Sequence, residues 1–253
     1  IMPFERNIST IAGGENLRFN VYVPPCYQQS GRRFPYVILL HGMSYSEQQW
    51  VDIGIIDALD EGIRNGTLPP MVLVMPYMGI IGQYNQFPPD PSYATYITNE
   101  LMPLVETNFC LYQHPDYRAI AGISRGGFWA YSIGLRHPEL FGAIAGHSGY
   151  FGNDTSIPAA FNPLELAVTD ANVATAGQRL YLDNGGSDSS GPSQQRLSAR
   201  FIANDITHTY IVHPIGEHNN SYWSAHVTDY LAFYGAPWSI QYDTLPTCAQ
   251  PSP

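Results

Sequence analysis

The feature that most narrows the fold is a serine bracketed by glycines. The run Tyr117-Arg-Ala-Ile-Ala-Gly-Ile-Ser124 has the apolar character of a strand, Gly122-Ile123-Ser124-Arg125-Gly126 turns it, and residues 127 to 137 suit a helix. A G-x-S-x-G turn between strand and helix holds the serine hydroxyl out on a tight bend where another molecule can meet it. Its neighbours must be small because strand and helix pass closely there. With 23 glycines in the chain, five such letters also arise by chance. The strand before them and the helix after them favour the chemical reading.

Around this turn, strand-like and helix-like segments alternate. Residues 15 to 24 alternate apolar and polar, which predicts a half-exposed edge strand stopped by Pro24-Pro25. Tyr36-Val-Ile-Leu-Leu40 is apolar throughout, as in a parallel strand covered on both faces. A helix is predicted over residues 48 to 65, a strand over 71 to 75, and a site-lining loop rich in Gly, Pro, Gln and Asn over 77 to 92. Beyond it come a helix over 93 to 109, the serine turn, and a strand over 141 to 145. An irregular stretch from 153 to 175 includes a short helix near 164 to 168 and is expected to form a partial lid. Strands over 179 to 183 and 208 to 212 alternate with helices over 193 to 204 and 221 to 234. This order predicts an α/β fold with a mostly parallel central sheet and helices on both faces, with ligands beyond the strands' carboxyl ends. At 253 residues the chain is expected to hold one domain, residues 1–236. The Pro, Ser and Thr beyond it mark 237–253 as a tail or linker stub.

Composition excludes several classes of partner. The formal net charge is −10, all eleven basic residues are arginines, and no basic run offsets the acidity. Nucleic acid and anionic membranes are therefore not expected as partners. No stretch is apolar for long enough to cross a bilayer as a helix, and the first residues lack the apolar core of a signal peptide. Cys26, Cys110 and Cys248 have no C-x-x-C spacing, so no metal site is expected. A Cys26–Cys110 bridge and three reduced, buried thiols are equally compatible with the order of elements.

A serine hydroxyl is a poor nucleophile at neutral pH and needs a histidine to take its proton and an acid to orient that histidine. His218, in Gly216-Glu-His218 after the last strand and before the closing helix, is favoured; His147 is its rival. Asp188, in the loop Gly185-Gly-Ser-Asp188, is favoured as the acid over Asp183 at the strand's end. An oxyanion would be met by the amides of Arg125, directly after the nucleophile, and Met43, after His41-Gly42.

Six motifs in order, His41 to Trp50, Asn99 to Val105, Ala121 to Gly127, His137 to Phe141, Gly185 to Asp188 and Gly216 to Trp223, together resemble the esterase D group of α/β-hydrolases. That group includes feruloyl and acetyl xylan esterases and mycolyltransferases. The resemblance covers most of residues 17 to 234 and implies an α/β-hydrolase fold, a Ser124, Asp188, His218 triad, and no cofactor. Two positions depart from the pattern: Cys26 stands where glycine is usual after Pro-Pro, and Arg125 where methionine is frequent. The expected activity is serine carboxylic ester hydrolysis through an acyl-enzyme, on feruloyl, aryl or acetyl esters of plant polysaccharide. Tyr45, Trp50, Tyr84 and Trp223 would line the site for a flat acyl group, although loop aromatics are as often core. The alternatives are acyl transfer to a sugar hydroxyl by the same triad, or a hydrolase-like binding protein without turnover. The missing lysine, the potential disulfide and the Pro-rich end point to a secreted, extracellular protein.

Overall fold

The computed structural model describes residues 1–25, 27–152, 156–169 and 176–248. Among them, eight strands form one sheet: β1 (Met2–Phe4), β2 (Phe19–Tyr22), β3 (Tyr36–Leu40), β4 (Val72–Pro76), β5 (Arg118–Ile123), β6 (Ala143–His147), β7 (Arg179–Gly185) and β8 (Thr209–His213). Their spatial order is β1-β2-β4-β3-β5-β6-β7-β8. The pairs β1–β2 and β2–β4 are antiparallel, and every pair from β4 to β8 is parallel. This is the α/β-hydrolase arrangement, mostly parallel with helices on both faces.

The continuous apolar strands follow from burial on both sides. Successive side chains in a strand point to opposite faces, so Ile38, Leu40, Ile120 and Ile144 enter one core while Val37, Leu39, Ala119 and Ala121 enter the other. Each fully buried Leu or Ile contributes roughly 1.5–3 kcal/mol relative to exposure. The first core is closed by α5 (Tyr93–Tyr96), which runs through a π-helical turn (Ile97–Leu101) into α6 (Met102–Asn108), and by α7 (Arg125–Arg136), α8 (Pro163–Thr169) and α9 (Gly191–Ala203). The second is closed by α2 (Gln49–Asp52), α3 (Ile55–Arg64) and α10 (Asn220–Gly235). Two further short helices are α1 (Tyr27–Ser30) and α4 (Gly79–Gln83), the latter inside the expected loop 77 to 92.

Four expectations need correction. Residues 15 to 24 do not supply an edge strand: β2 is buried along its whole length because β1 pairs outside it and Phe4 stacks on Phe19 at 4.4 Å. The helix expected over 48 to 65 is two helices, broken where Gly54 takes φ 86°. Residues 237 to 248 are not a free tail. The Arg33 amide donates to the Pro246 carbonyl (2.8 Å) and the Cys248 amide to the Gly31 carbonyl (2.7 Å), while Trp238 and Leu245 are buried. Finally, the disulfide joins Cys110 to Cys248, so Cys110 pairs with the C-terminal cysteine and is not reduced. Cys26 and residues 249–253 lie outside the described residues, as does much of the expected lid; the short helix predicted within that segment is α8.

The connection from β3 leads to β4 on one side, whereas β5 lies on β3's other side. Strand order therefore reverses between β3 and β5, and the crevice beyond their carboxyl ends is where such sheets receive ligands.

Candidate active site

Ser124 sits at that reversal, on the turn from β5 into α7. Its backbone is at φ 54°, ψ −113°, a conformation L-residues rarely adopt. The turn is held by hydrogen bonds from the Ser124 amide to the His147 carbonyl (2.9 Å) and from the Tyr150 amide to the Ser124 carbonyl (3.2 Å). A Cβ on Gly122 would lie 2.1 Å from the carbonyl carbon of Gly126, so only glycine lets strand and helix meet at this bend.

Two other loops bring side chains to the hydroxyl. His218 lies between β8 and α10, whose first turn is capped by the Asn219 side chain accepting from the Tyr222 amide. Asp188 lies between β7 and α9, and its Oδ1 accepts from the Ser190 amide at 2.7 Å. These loops touch through glycine: a Cβ on Gly185 would fall 2.3 Å from the Gly216 carbonyl oxygen. The Ser124 hydroxyl donates to His218 Nε2 at 2.9 Å, and His218 Nδ1–H donates to Asp188 Oδ1 at 2.9 Å. The Ser190 hydroxyl is 3.2 Å from the same Nδ1. Three side chains 94 and 30 residues apart thus form one chain of hydrogen bonds. The Asp188 side chain is fully buried while that of His218 remains 27% exposed. Burial alone would raise the Asp188 carboxyl, but hydrogen bonding, led by that from His218, outweighs it and holds the group below its ordinary value. Asp188 is therefore ionised at neutral pH.

The rival pair is elsewhere. His147 Nδ1 lies 2.7 Å from Asp183 Oδ1, its Nε2 is 2.6 Å from the Tyr234 hydroxyl, and Asp183 Oδ2 accepts from the hydroxyls of Tyr222 (2.5 Å) and Tyr230 (3.0 Å). All of this is buried beneath the site, and both residues lie in strands. It is a satisfied core network, and neither side chain contacts Ser124.

His41 organises the turn after β3. Its Nδ1–H donates to the Gly42 carbonyl (2.7 Å) and its Nε2 accepts from the Met78 amide (2.9 Å), a pattern only neutral imidazole can make. Burial agrees, lowering its pKa to about 4. Gln49 Oε1 accepts from the Gly42 amide at 2.7 Å, and Gln49 Nε2 donates to Asn220 Oδ1 at 3.0 Å. The turn so fixed lies against the serine: a Cβ on Gly42 would be 3.6 Å from Ser124 Cβ. Arg125 is the first residue of α7, so its amide has no acceptor within the helix. The Met43 and Arg125 side chains approach each other, Sδ to Nη2, at 4.0 Å. They border a cleft of about 380 Å³ shared with Ser44, Gln83, Tyr84 and Asn85.

The four aromatic residues expected at the substrate divide evenly. Tyr84 and Tyr45 are exposed, Tyr84 in the cleft itself. Trp50 and Trp223 are buried: Trp50 meets the His147 ring edge-on, and Trp223 packs edge-on against His218 with its Nε1–H donating to Ser148 Oγ at 2.9 Å. Both fill the layer between α2, α10 and the sheet. Ser148 and Ser190 were not singled out from the sequence; the only sign of them was a serine directly after a strand in Ala145-Gly-His-Ser148 and the serine-rich run around Asp188.

The Esterase family model matches residues 10–234. The esterase Rv1288 of Mycobacterium tuberculosis is 34% identical over 199 residues, covering 75% of this chain and 40% of that protein, so the chain spans about two fifths of that relative's length. The endo-1,4-beta-xylanase/feruloyl esterase of Xylanibacter ruminicola is 31% identical over 137 residues, covering 49% of this chain and 18% of that protein. Among solved structures, a ferulic acid esterase superposes with a TM-score of 0.81 over 91% of this chain and 96% of that one, at 22% identity.

Proposed function

Because the chain belongs to the Esterase family, we propose that it is a serine carboxylic ester hydrolase with Ser124 as nucleophile, His218 as acid and base, and Asp188 as orienting acid. The observation that carries this reading is the unbroken chain of hydrogen bonds from the Ser124 hydroxyl through His218 to the buried Asp188 carboxylate. As Ser124 Oγ attacks the ester carbonyl, its proton passes to His218 Nε2, and the imidazolium is stabilised by Asp188. The carbonyl oxygen gains the negative charge and is met by the amides of Arg125 and Met43, each such donor contributing about 10²–10³ in rate. Collapse of the tetrahedral intermediate breaks the bond to the alcohol, which leaves with the proton from Nε2. Water, deprotonated by the same nitrogen, then attacks the acyl-enzyme, and the acid departs as Ser124 regains its proton.

The proposed substrates are feruloyl, other aryl or acetyl esters of plant polysaccharide. The Xylanibacter relative, whose name joins a xylanase to a feruloyl esterase, supports this class, as do the exposed rings of Tyr84 and Tyr45. Secretion belongs to the same proposal, since a disulfide such as Cys110–Cys248 persists in an oxidising compartment. In a Ser124→Ala variant, hydrolysis of p-nitrophenyl acetate should fall by about 10⁴-fold or more. Persistent hydrolysis would overturn the mechanism. Turnover of p-nitrophenyl esters with none of methyl ferulate or acetylated xylan would overturn the substrate class and leave the mechanism standing.

A further inference from the structure

Asp188 has two carboxylate oxygens, and only one is well served. Oδ1 accepts from His218 Nδ1 and from the Ser190 amide, whereas Oδ2 is buried and receives no well-formed hydrogen bond. A buried carboxylate oxygen without a donor is costly and calls for a cause. Nearby, Ser148 follows β6 in a backbone conformation that serine rarely adopts, φ 51°, fixed by its amide donating to the Asp183 carbonyl at 2.8 Å. Its Oγ accepts from Trp223 Nε1 at 2.9 Å. The indole thus occupies one side of the hydroxyl and leaves the hydroxyl's own proton to be donated. The same indole packs edge-on against the His218 ring, with centroids 5.1 Å apart.

We propose that Ser148 is a positioning residue for the triad: its hydroxyl, aimed by Trp223, donates to Asp188 Oδ2 and fixes the carboxylate's orientation toward His218. Trp223 then braces the histidine by its ring and the acid through Ser148, so one buried indole aligns both partners of the nucleophile. The strained backbone at Ser148 fits this role, because strain persists where the surroundings over-determine a geometry that is in use. A donor at this position would also help to hold the Asp188 carboxyl below its ordinary value, as is found. This inference rests on the hydrolase reading above.

The test is the pH dependence of kcat/KM. Removing a donor from Asp188 leaves its charge more fully available to the imidazolium, so the acidic limb of the profile should move to higher pH. Among the described residues, the ionisable groups near the pair include Tyr210 on β8 and Tyr222 on α10, both of which feel the Asp188 charge, Asp183 on β7, whose carbonyl holds the Ser148 amide, and Glu217, next to His218 in the chain. Burial raises both tyrosines, which stay neutral across that limb, and all four are untouched by the substitutions. Ser148→Gly deletes the hydroxyl and relieves φ 51° at once, so the fold should hold while kcat/KM falls about tenfold and the limb rises by about half a pH unit. Trp223→Phe keeps the hydroxyl but frees its orientation, and should shift the limb less. A wild-type limb in Ser148→Gly, with or without a lower rate, would overturn the proposal. If Ser124→Ala is inactive and that limb does not move, only the role of Ser148 fails; if Ser124→Ala is active, the reading beneath it fails as well.

Discussion

The Cys110–Cys248 disulfide closes a loop of 138 residues, which makes its contribution to stability calculable and its contribution to activity separable. In the chain-entropy model, a loop of that length removes about 17 cal/mol/K from the unfolded ensemble, or about 5 kcal/mol at 25 °C. Native disulfides typically deliver about 2–4 kcal/mol, because the unfolded reference keeps some structure. A domain of this size loses roughly 2–4 °C in Tm per kcal/mol, so Cys248→Ser should melt roughly 5–15 °C below the parent. Reduction by dithiothreitol should produce the same drop in the parent and none in the variant. Activity should behave differently. Cys110 lies before the amino end of β5 and Ser124 follows its carboxyl end. Six strand residues at about 3.3 Å each keep the two roughly 20 Å apart. At 25 °C, kcat/KM for p-nitrophenyl acetate should therefore match the parent within about twofold, a difference of about 0.4 kcal/mol. The measurements are thermal melts by circular dichroism and initial rates on the same preparations. If Cys248→Ser melts with the parent while Cys26→Ser melts well below it, the pairing is wrong. If the rate collapses in folded Cys248→Ser, the two ends of the sheet are coupled in a way the geometry does not explain.

Two more outcomes follow from the site. Gln49→Ala removes the acceptor of the Gly42 amide and the link to Asn220; the loosened turn carries Met43, so kcat should fall about tenfold with KM little changed, as measured by steady-state kinetics. Asp188 and Glu100 are both held below their ordinary values of 3.8 and 4.5, in each case because hydrogen bonds outweigh the effect of burial. Their folded forms favour the carboxylate, so the stability they confer is complete above about pH 4.5 and is lost as pH falls through their lowered folded values. Melting temperatures should accordingly hold from pH 7 to 5 and decline below pH 4; a flat profile down to pH 3 would contradict the assigned hydrogen bonds.

How much of this was legible from the residues depended on the range of the interaction. The serine turn was readable because its constraint is local: five residues dictate a bend between a strand and a helix, and no distant partner is needed to specify it. That His218 and Asp188 would meet near Ser124 was readable through order, since loops after successive parallel strands open at the same end of the sheet. Trp50 and Trp223 misled because proximity to a strand's end does not decide on which side of a loop a ring points. Trp223 turned inward because its indole N–H found Ser148, just past the end of a strand far away in sequence, and such a partner leaves no local trace. The edge strand failed for a similar reason: alternation in residues 15 to 24 reads as one wet face only if nothing pairs outside it, and Met2–Phe4 does. The C-terminal segment is the clearest case. Its prolines and small polar residues have the composition of a linker, but Trp238, Leu245 and Cys248 recur through it, and each is anchored in the body. Composition averages such residues away, although a few anchors suffice once neighbouring backbone offers hydrogen bonds, as Gly31 and Arg33 do. Long-range closure is thus the part of this architecture that a pattern of 2.0 or 3.6 residues cannot encode, and the disulfide is its covalent form.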